Sequence, residues 1–207
     1  NMPNSALAAI IIAASLSLFD VAELRHFWAV RRSEFALAII ALLGVALVGV
    51  LQGIVIAVVI SIFQLFEKAW RPYAAVLGKP EGIPGCHDIT RYPNASQIPG
   101  LLLLRWEAPI FFANANLFRK KIRTLITQTE PKPKWIILTA EPITDVDTTA
   151  GELLVDLDLE LNAAGIHLVF TELKDSVREK IERYGLLETI DRRHFYPTIE
   201  VAVEEFQ

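Results

Sequence analysis

Cysteine is almost absent from this sequence, and the few histidines are scattered. Cys86 is the single cysteine among 207 residues, and there are four histidines. One thiol excludes an internal disulfide framework. Cys86 and His87 are adjacent, and two adjacent ligands do not close a zinc site. No nucleophile, base and acid occur in a catalytic arrangement, so we predict no enzyme site, no metal and no cofactor.

An excess of positive charge is also lacking. Residues 1–82 carry six Lys/Arg and five Asp/Glu, whereas residues 83–207 carry 14 and 19. The acidic balance of the second part argues against a nucleic-acid surface. The first part is very apolar and the second has an ordinary globular composition, so the chain consists of two unlike parts.

Charged residues are missing altogether from residues 35–66. As one straight helix this run would be about 48 Å long at 1.5 Å per residue, whereas the hydrocarbon core of a bilayer is about 30 Å thick. We therefore predict a break near residues 49–53, where Gln52 and two glycines weaken a helix. The two resulting arms, residues 35–50 and 53–67, are each expected to be shorter than a normal span.

Basic residues flank this run on both sides. Cytoplasmic flanks of membrane segments are enriched in Lys/Arg, so a helical hairpin with both flanks in the cytoplasm is favoured over a single crossing. The flanking residues are Arg25, Arg31 and Arg32 before the run, and Lys68, Arg71 and Lys79 after it. Because intramembrane charges mark ion paths, their absence predicts helices that act as scaffold.

The two glycines of the predicted break have a second interpretation. Gly49 and Gly53 match the small-xxx-small motif of packed membrane helices, so a dimer seam is the alternative to a simple break. Upstream, the apolar run of residues 6–19 is shorter than the roughly 20 residues that cross a bilayer. It is expected to be the end of a spanning helix, and the chain to be the C-terminal piece of a longer membrane protein.

The second part alternates between predicted strands and helices. Residues 68–85 contain several prolines and glycines and are predicted to be a linker. The stretches "GLLLLRWE", "KWIILTAEP" and "IHLVFTEL" are predicted strands, and "CHDITRYP" a short edge strand. Helices of 12–18 residues follow them, one beginning at an Asp175 N-cap. This alternation predicts an α/β domain with a mixed, mostly parallel sheet flanked by helices.

One loop carries the candidate functional residues. Asp145, Asp147, Thr148 and Thr149 lie between a predicted buried strand and a leucine-rich helix that ends near Gly165. Asp147 or Thr148 is expected to cap that helix. A hydroxyl at a helix N-terminus is also a place where phosphate is stabilised, so Asp147, Thr148 and Thr149 are candidate regulatory residues, with Thr148 as a phospho-acceptor.

These motifs together resemble a known family. The soluble part resembles a STAS domain, through "WIILTAEPITDVDTTAGELLVDLDLELNAAGIHLVF", "VREKIERYGLL", "FYPTIEVAVEEF" and the turn "APIFFANA". With "AAIIIAASLSLFDVAELRHFWAVRRSEFALAII", the whole chain looks like the C-terminal end of a sulfate permease (SulP) protein. The resemblance implies that residues 1–67 are C-terminal transmembrane helices, that residues 68–85 are the linker and that residues 86–207 are the STAS domain.

The family implies secondary active transport of an inorganic anion, with sulfate as first candidate and bicarbonate next. Dicarboxylates, which are organic anions, come third. It implies a multi-pass protein of the cell inner membrane whose cytoplasmic STAS domain regulates or assembles the transporter. A lipid membrane, a homodimer contact and a protein partner at the STAS domain are implied as well. The anion site is expected upstream of this chain, so no substrate-binding residue is assigned.

The phosphorylated residue of free-standing STAS antagonists matches Thr148, which follows Asp147. Two residues depart from that pattern, because Thr148 stands where serine is usual and Ala150 where antagonists carry glycine. A role for Thr148 in capping and packing therefore competes with phosphorylation. The alternative function is a membrane-tethered signalling module that binds a protein partner under phospho-control at Thr148.

Overall fold

The structure, a computed structural model, describes residues 4–17 and 20–207. It divides into a helical unit, Asn1–Phe66, and a sheet unit, Glu67–Gln207. Phe19, the end of the predicted upstream apolar run, lies outside the described residues. The helical unit holds α1 (Asn4–Ser17), α2 (Val21–Val30), α3 (Arg32–Leu47) and α4 (Val50–Trp70), and the last turn of α4 belongs to the sheet unit.

The predicted break in the long apolar run lies at Gly49. Its φ of 129° is a backbone conformation that only glycine adopts easily. The amides of Val48 and Gly49 both donate to the Gly44 carbonyl, which closes α3. A new helix, α4, begins at Val50. The prediction that both arms are shorter than a membrane span is therefore wrong for the second arm. With 21 residues, α4 is the one helix among the described residues that is long and apolar enough to cross a membrane.

Gly53 does not take part in the break. It lies inside α4 against α3, and a Cβ atom built on it would be 2.3 Å from the Val45 nitrogen and 2.6 Å from the Gly44 carbonyl carbon. Contacts this short show that only glycine fits where the two backbones approach each other. The interpretation that both glycines simply form the break therefore holds for Gly49 alone.

The sheet unit is built on six strands in the order β2-β1-β3-β4-β5-β6. β1 pairs antiparallel with β2 and β3, and β3 to β6 are parallel, as predicted for a mixed, mostly parallel sheet. The strands are β1 (Ala74–Gly78), β2 (His87–Asp88), β3 (Leu101–Trp106), β4 (Trp135–Thr139), β5 (His167–Thr171) and β6 (Phe195–Tyr196).

Helices cover both faces of this sheet. They are α5 (Ala115–Gln128), α6 (Thr148–Ala163), α7 (Asp175–Arg183) and α8 (Ile199–Phe206). In β3, Leu102 and Leu104 point into the larger core cluster with α5, α6 and α7, whereas Leu101 and Leu103 point into the smaller cluster with α8. Burial on both faces explains why this strand is a continuous apolar run.

Two local predictions were wrong. Residues 74–78 form β1 although their surroundings predicted a linker. The antiparallel pairing of β1 with β3 supplies the missing stabilisation, and such pairing is not visible in local composition. Asp175 is the first residue of α7, and the N-cap is Lys174. The helix therefore starts one residue earlier than a side-chain cap at Asp175 would require.

Candidate functional site

The candidate loop connects the end of β4 to the start of α6. Ile143 and Val146 are buried and hold the loop to the core. Val146 forms an isolated parallel bridge with Ile110, in which the Ile110 amide donates to the Asp145 carbonyl at 3.0 Å. The loop is thus fixed by two apolar side chains and a short backbone pairing, and its polar side chains face outward between them.

Asp147 is the N-cap of α6. Its Oδ1 accepts a hydrogen bond from the Ala150 amide at 2.8 Å, which satisfies one of the free donors of the first turn. Its Oδ2 accepts from the Phe112 amide, also at 2.8 Å. Asp147 therefore joins α6 to the turn that precedes α5. Of the two residues predicted as the cap, the structure selects Asp147 over Thr148.

Thr148 and Thr149 are the first two residues of α6, and both are exposed. Within the described part of the chain, neither hydroxyl nor the two backbone amides make a hydrogen bond. Since Asp147 already caps the helix, Thr148 is not needed as a cap. Free hydroxyls beside free amide donors at a helix N-terminus form a surface that can accept an anion or a phosphoryl group.

Asp145 is paired with a lysine of α7. Its Oδ1 lies 2.5 Å from Nζ of Lys180, on α7, and also accepts from the Val146 amide at 2.8 Å. The hydrogen bond from Lys180 holds the pKa of Asp145 below its usual range, and the same contact raises the pKa of Lys180. The charge of Asp145 is therefore balanced by Lys180 on α7.

Two residues that sequence reasoning did not single out complete the site. Gly151 faces Tyr184, and a Cβ atom on Gly151 would lie 2.3 Å from Cδ2 of that ring. Asn114 is fully buried in the turn before α5 and donates from Nδ2 to the carbonyl oxygens of Ala69 and Pro109. Asn114 belongs to the "FANA" element already noted in the sequence, which could have identified it.

Among residues 4–17 and 20–207, no cluster of three or more His, Cys, Asp or Glu that could hold a metal ion occurs. The loop offers hydroxyls, amide donors and one capping carboxylate. This set suits recognition of an anion or a protein partner.

The sequence profile of the STAS domain family matches residues 92–202, more than half of the chain. The chain belongs to the STAS domain family. The match covers β3 to β6 and all the candidate residues, including the loop and the start of α6. The predicted resemblance to this family is therefore confirmed.

Curated relatives match this chain over nearly its full length. The "Probable sulfate transporter" of Mycobacterium tuberculosis (strain ATCC 25618 / H37Rv) is 38% identical over 205 residues, covering 99% of this chain and 37% of the relative. Sulfate transporter 1.1 of Arabidopsis thaliana is 31% identical over 209 residues, covering 97% of this chain and 32% of the relative. This chain thus spans about a third of the length of these relatives. Their names describe transporters rather than enzymes.

A solved structure shows the same fold over both units. The murine Solute Carrier 26 family member A9 anion transporter, in its inward-facing state, superposes with a TM-score of 0.82 at 19% sequence identity. The match covers 97% of this chain and 32% of that transporter. At this identity the comparison shows the fold alone.

Proposed function

We propose that this chain is the C-terminal part of a SulP-type secondary transporter that carries an inorganic anion across the cell inner membrane. Among inorganic anions sulfate is the first candidate and bicarbonate the next, and organic dicarboxylates are the third candidate class. Residues 1–67 would supply the last transmembrane helices. The STAS domain, with β1 as its first strand, would lie in the cytoplasm and regulate or assemble the transporter.

One observation carries this proposal. The similarity to named sulfate transporters extends through both units of the chain, since 99% of it aligns with the mycobacterial relative. A STAS domain attached to an unrelated membrane anchor would align over the sheet unit only. The length and apolar composition of α4 support a membrane-spanning role, and the basic residues on both flanks favour a hairpin with both flanks on the cytoplasmic side.

Uptake of radiolabelled anions by the full-length natural protein in proteoliposomes tests the proposal. Sulfate, bicarbonate and succinate are supplied separately, with and without a Na⁺ or pH gradient, and protein-free liposomes serve as the control. We expect saturable uptake of one anion, which identifies substrate and driving force together. Folded, inserted protein that takes up none of the three would refute the proposed substrate classes.

A second candidate is a membrane-tethered signalling module whose STAS domain binds a protein partner under phospho-control at Thr148. The exposed hydroxyls of Thr148 and Thr149 at the start of α6 favour it. Phosphopeptide mass spectrometry on protein purified from its natural source tests it, with Thr148→Ala and Thr149→Ala as matched variants. Loss of a phosphopeptide in Thr148→Ala alone supports the module, whereas an unmodified loop argues against it.

A further inference from the structure

Asn114 caps the C-terminal end of α4. The last carbonyl groups of a helix have no partner inside the helix, and Nδ2 of Asn114 donates to one of them, the Ala69 oxygen, at 3.0 Å. The same nitrogen donates to the Pro109 oxygen at 2.9 Å, and Oδ1 accepts from the Phe111 amide at 3.0 Å. The side chain is fully buried. Its hydrogen bonds therefore fix the end of α4 to the turn at residues 111–114.

Asp147 holds the same turn from the opposite side. While Oδ1 caps α6 at the Ala150 amide, Oδ2 accepts from the Phe112 amide. The turn itself is closed by the amides of Asn114 and Ala115, which both donate to the Phe111 carbonyl at 2.9 Å. One short turn thus connects the cap of one helix to the cap of another. We call residues 111–114 together with Asp147 the cap bridge.

A backbone pairing makes the cap bridge stiffer on the α6 side. The Ile110 amide donates to the Asp145 carbonyl at 3.0 Å, and the Asp147 amide donates to the Ile110 carbonyl at 3.3 Å. A displacement of Asp147 must therefore also displace the segment that carries Phe111 and Phe112. Asn114 belongs to the same turn, so its side-chain hydrogen bonds are displaced as well. The side chain of Asp145 is not part of the cap bridge, because it is paired with Lys180 on α7.

We propose that Asn114 and Asp147 are coupling residues, which transmit events at the start of α6 through the cap bridge to the last turn of α4. The proposal rests on the proposed function, in which the STAS domain regulates the membrane helices, and it names the route of that regulation. Binding or modification at Thr148 and Thr149 acts next to Asp147 and changes the stability of the α4 terminus. Because coupling between sites is reciprocal, a change at that terminus alters the start of α6 equally.

Hydrogen exchange on the full-length protein in lipid nanodiscs tests this route. The variant Asp147→Ser keeps a good N-cap for α6, but serine has one side-chain oxygen and is too short to hold Phe112 as well. Asp145→Ser is the matched control, since it lies in the same loop and removes the same charge while leaving the cap bridge intact. The amides to follow are those of Phe112, of the first turn of α6 and of Arg71, which donates to Glu67 across the last turn of α4.

We expect Asp147→Ser to accelerate exchange roughly 2- to 10-fold at Phe112 and also at Arg71, the range that loss of one hydrogen bond gives. The first turn of α6 should change little, and Asp145→Ser should leave Arg71 unchanged. Acceleration that stops at residues 111–112, or equal acceleration at Arg71 in both variants, overturns the proposal.

If Asp147→Ser does not fold, Asp147→Asn replaces it, because an amide has one oxygen for the two N–H donors. The same acceleration at Arg71 is then expected, and its absence again overturns the coupling. The measurement needs no anion uptake. A failed transport assay would therefore leave the coupling intact, and failed coupling would leave the proposed transport intact.

Discussion

Replacing Gly151 with alanine should destabilise the sheet unit, although the same change stabilises most helices. Gly151 lies in the first turns of α6, where alanine has the better helix propensity by about 1 kcal/mol. The added Cβ would be 2.3 Å from Cδ2, 2.6 Å from Cγ and 2.9 Å from Cβ of Tyr184. These atoms are close to the backbone of Tyr184, so the ring cannot move aside without a change of rotamer.

The magnitude follows from the two opposing effects. Overpacking a close contact costs about 1–3 kcal/mol, against the propensity gain of about 1 kcal/mol. The net loss is up to about 2 kcal/mol in the free energy of unfolding. For a chain of this size, that loss corresponds to a fall in Tm of up to about 8 °C. Near-ultraviolet circular dichroism of the purified chain in detergent follows Tm through its buried aromatic residues.

A second variant isolates the contact with Tyr184. In a Tyr184→Ala background the space beside Gly151 is empty, so Gly151→Ala should regain its ordinary effect and raise Tm. A rise in Tm on Gly151→Ala in the natural background would refute the reasoning, because it would mean that Tyr184 is not held against α6.

Three further predictions concern other contacts. The pKa of His194 is lowered from 6.5, mainly by burial and next by His167, so the folded state favours the neutral ring. Stability should therefore fall as the pH drops from 6.5 through the lowered pKa. When Tm is measured against pH, His194→Gln should flatten this slope. Lys180→Ala should raise the pKa of Asp145, measured by carboxyl NMR titration, because the Lys180 hydrogen bond is the main cause of its lowering. Gly53→Val should reduce the yield of monodisperse protein on size exclusion, since the added side chain meets the α3 backbone.

The arrangement of the STAS domain could be predicted wherever a signal is local. Alternating strands and helices predicted the mostly parallel sheet, and the Asp147-Thr148 pair predicted the start of α6. The stretch before Cys86 could not be predicted in this way. β1 lies among prolines and glycines, and what makes it a strand is its pairing with β3, more than 20 residues later in the sequence. Pairing partners distant in sequence leave no trace in local composition.

The candidate site divides in the same way. Its hydroxyls and carboxylates are evident from the sequence, but their roles are not, because capping depends on where each oxygen atom lies. Only the folded chain shows that Asp145 pairs with Lys180 while Asp147 reaches Phe112. Regulatory roles for Asp147, Thr148 and Thr149 stay predictions.

The sequence by itself determined the division into an apolar and a polar part, the STAS family, and the helix break that Gly49 makes possible. These depend on composition, on ordered motifs and on the conformational freedom of a single residue. Tertiary structure alone decided that Gly53 packs against α3, that Gly151 accommodates Tyr184, and that Asn114 and Asp147 cap two helices through one turn. Each of these depends on an approach of a few ångströms between different secondary-structure elements, and such distances exist only after the chain has folded.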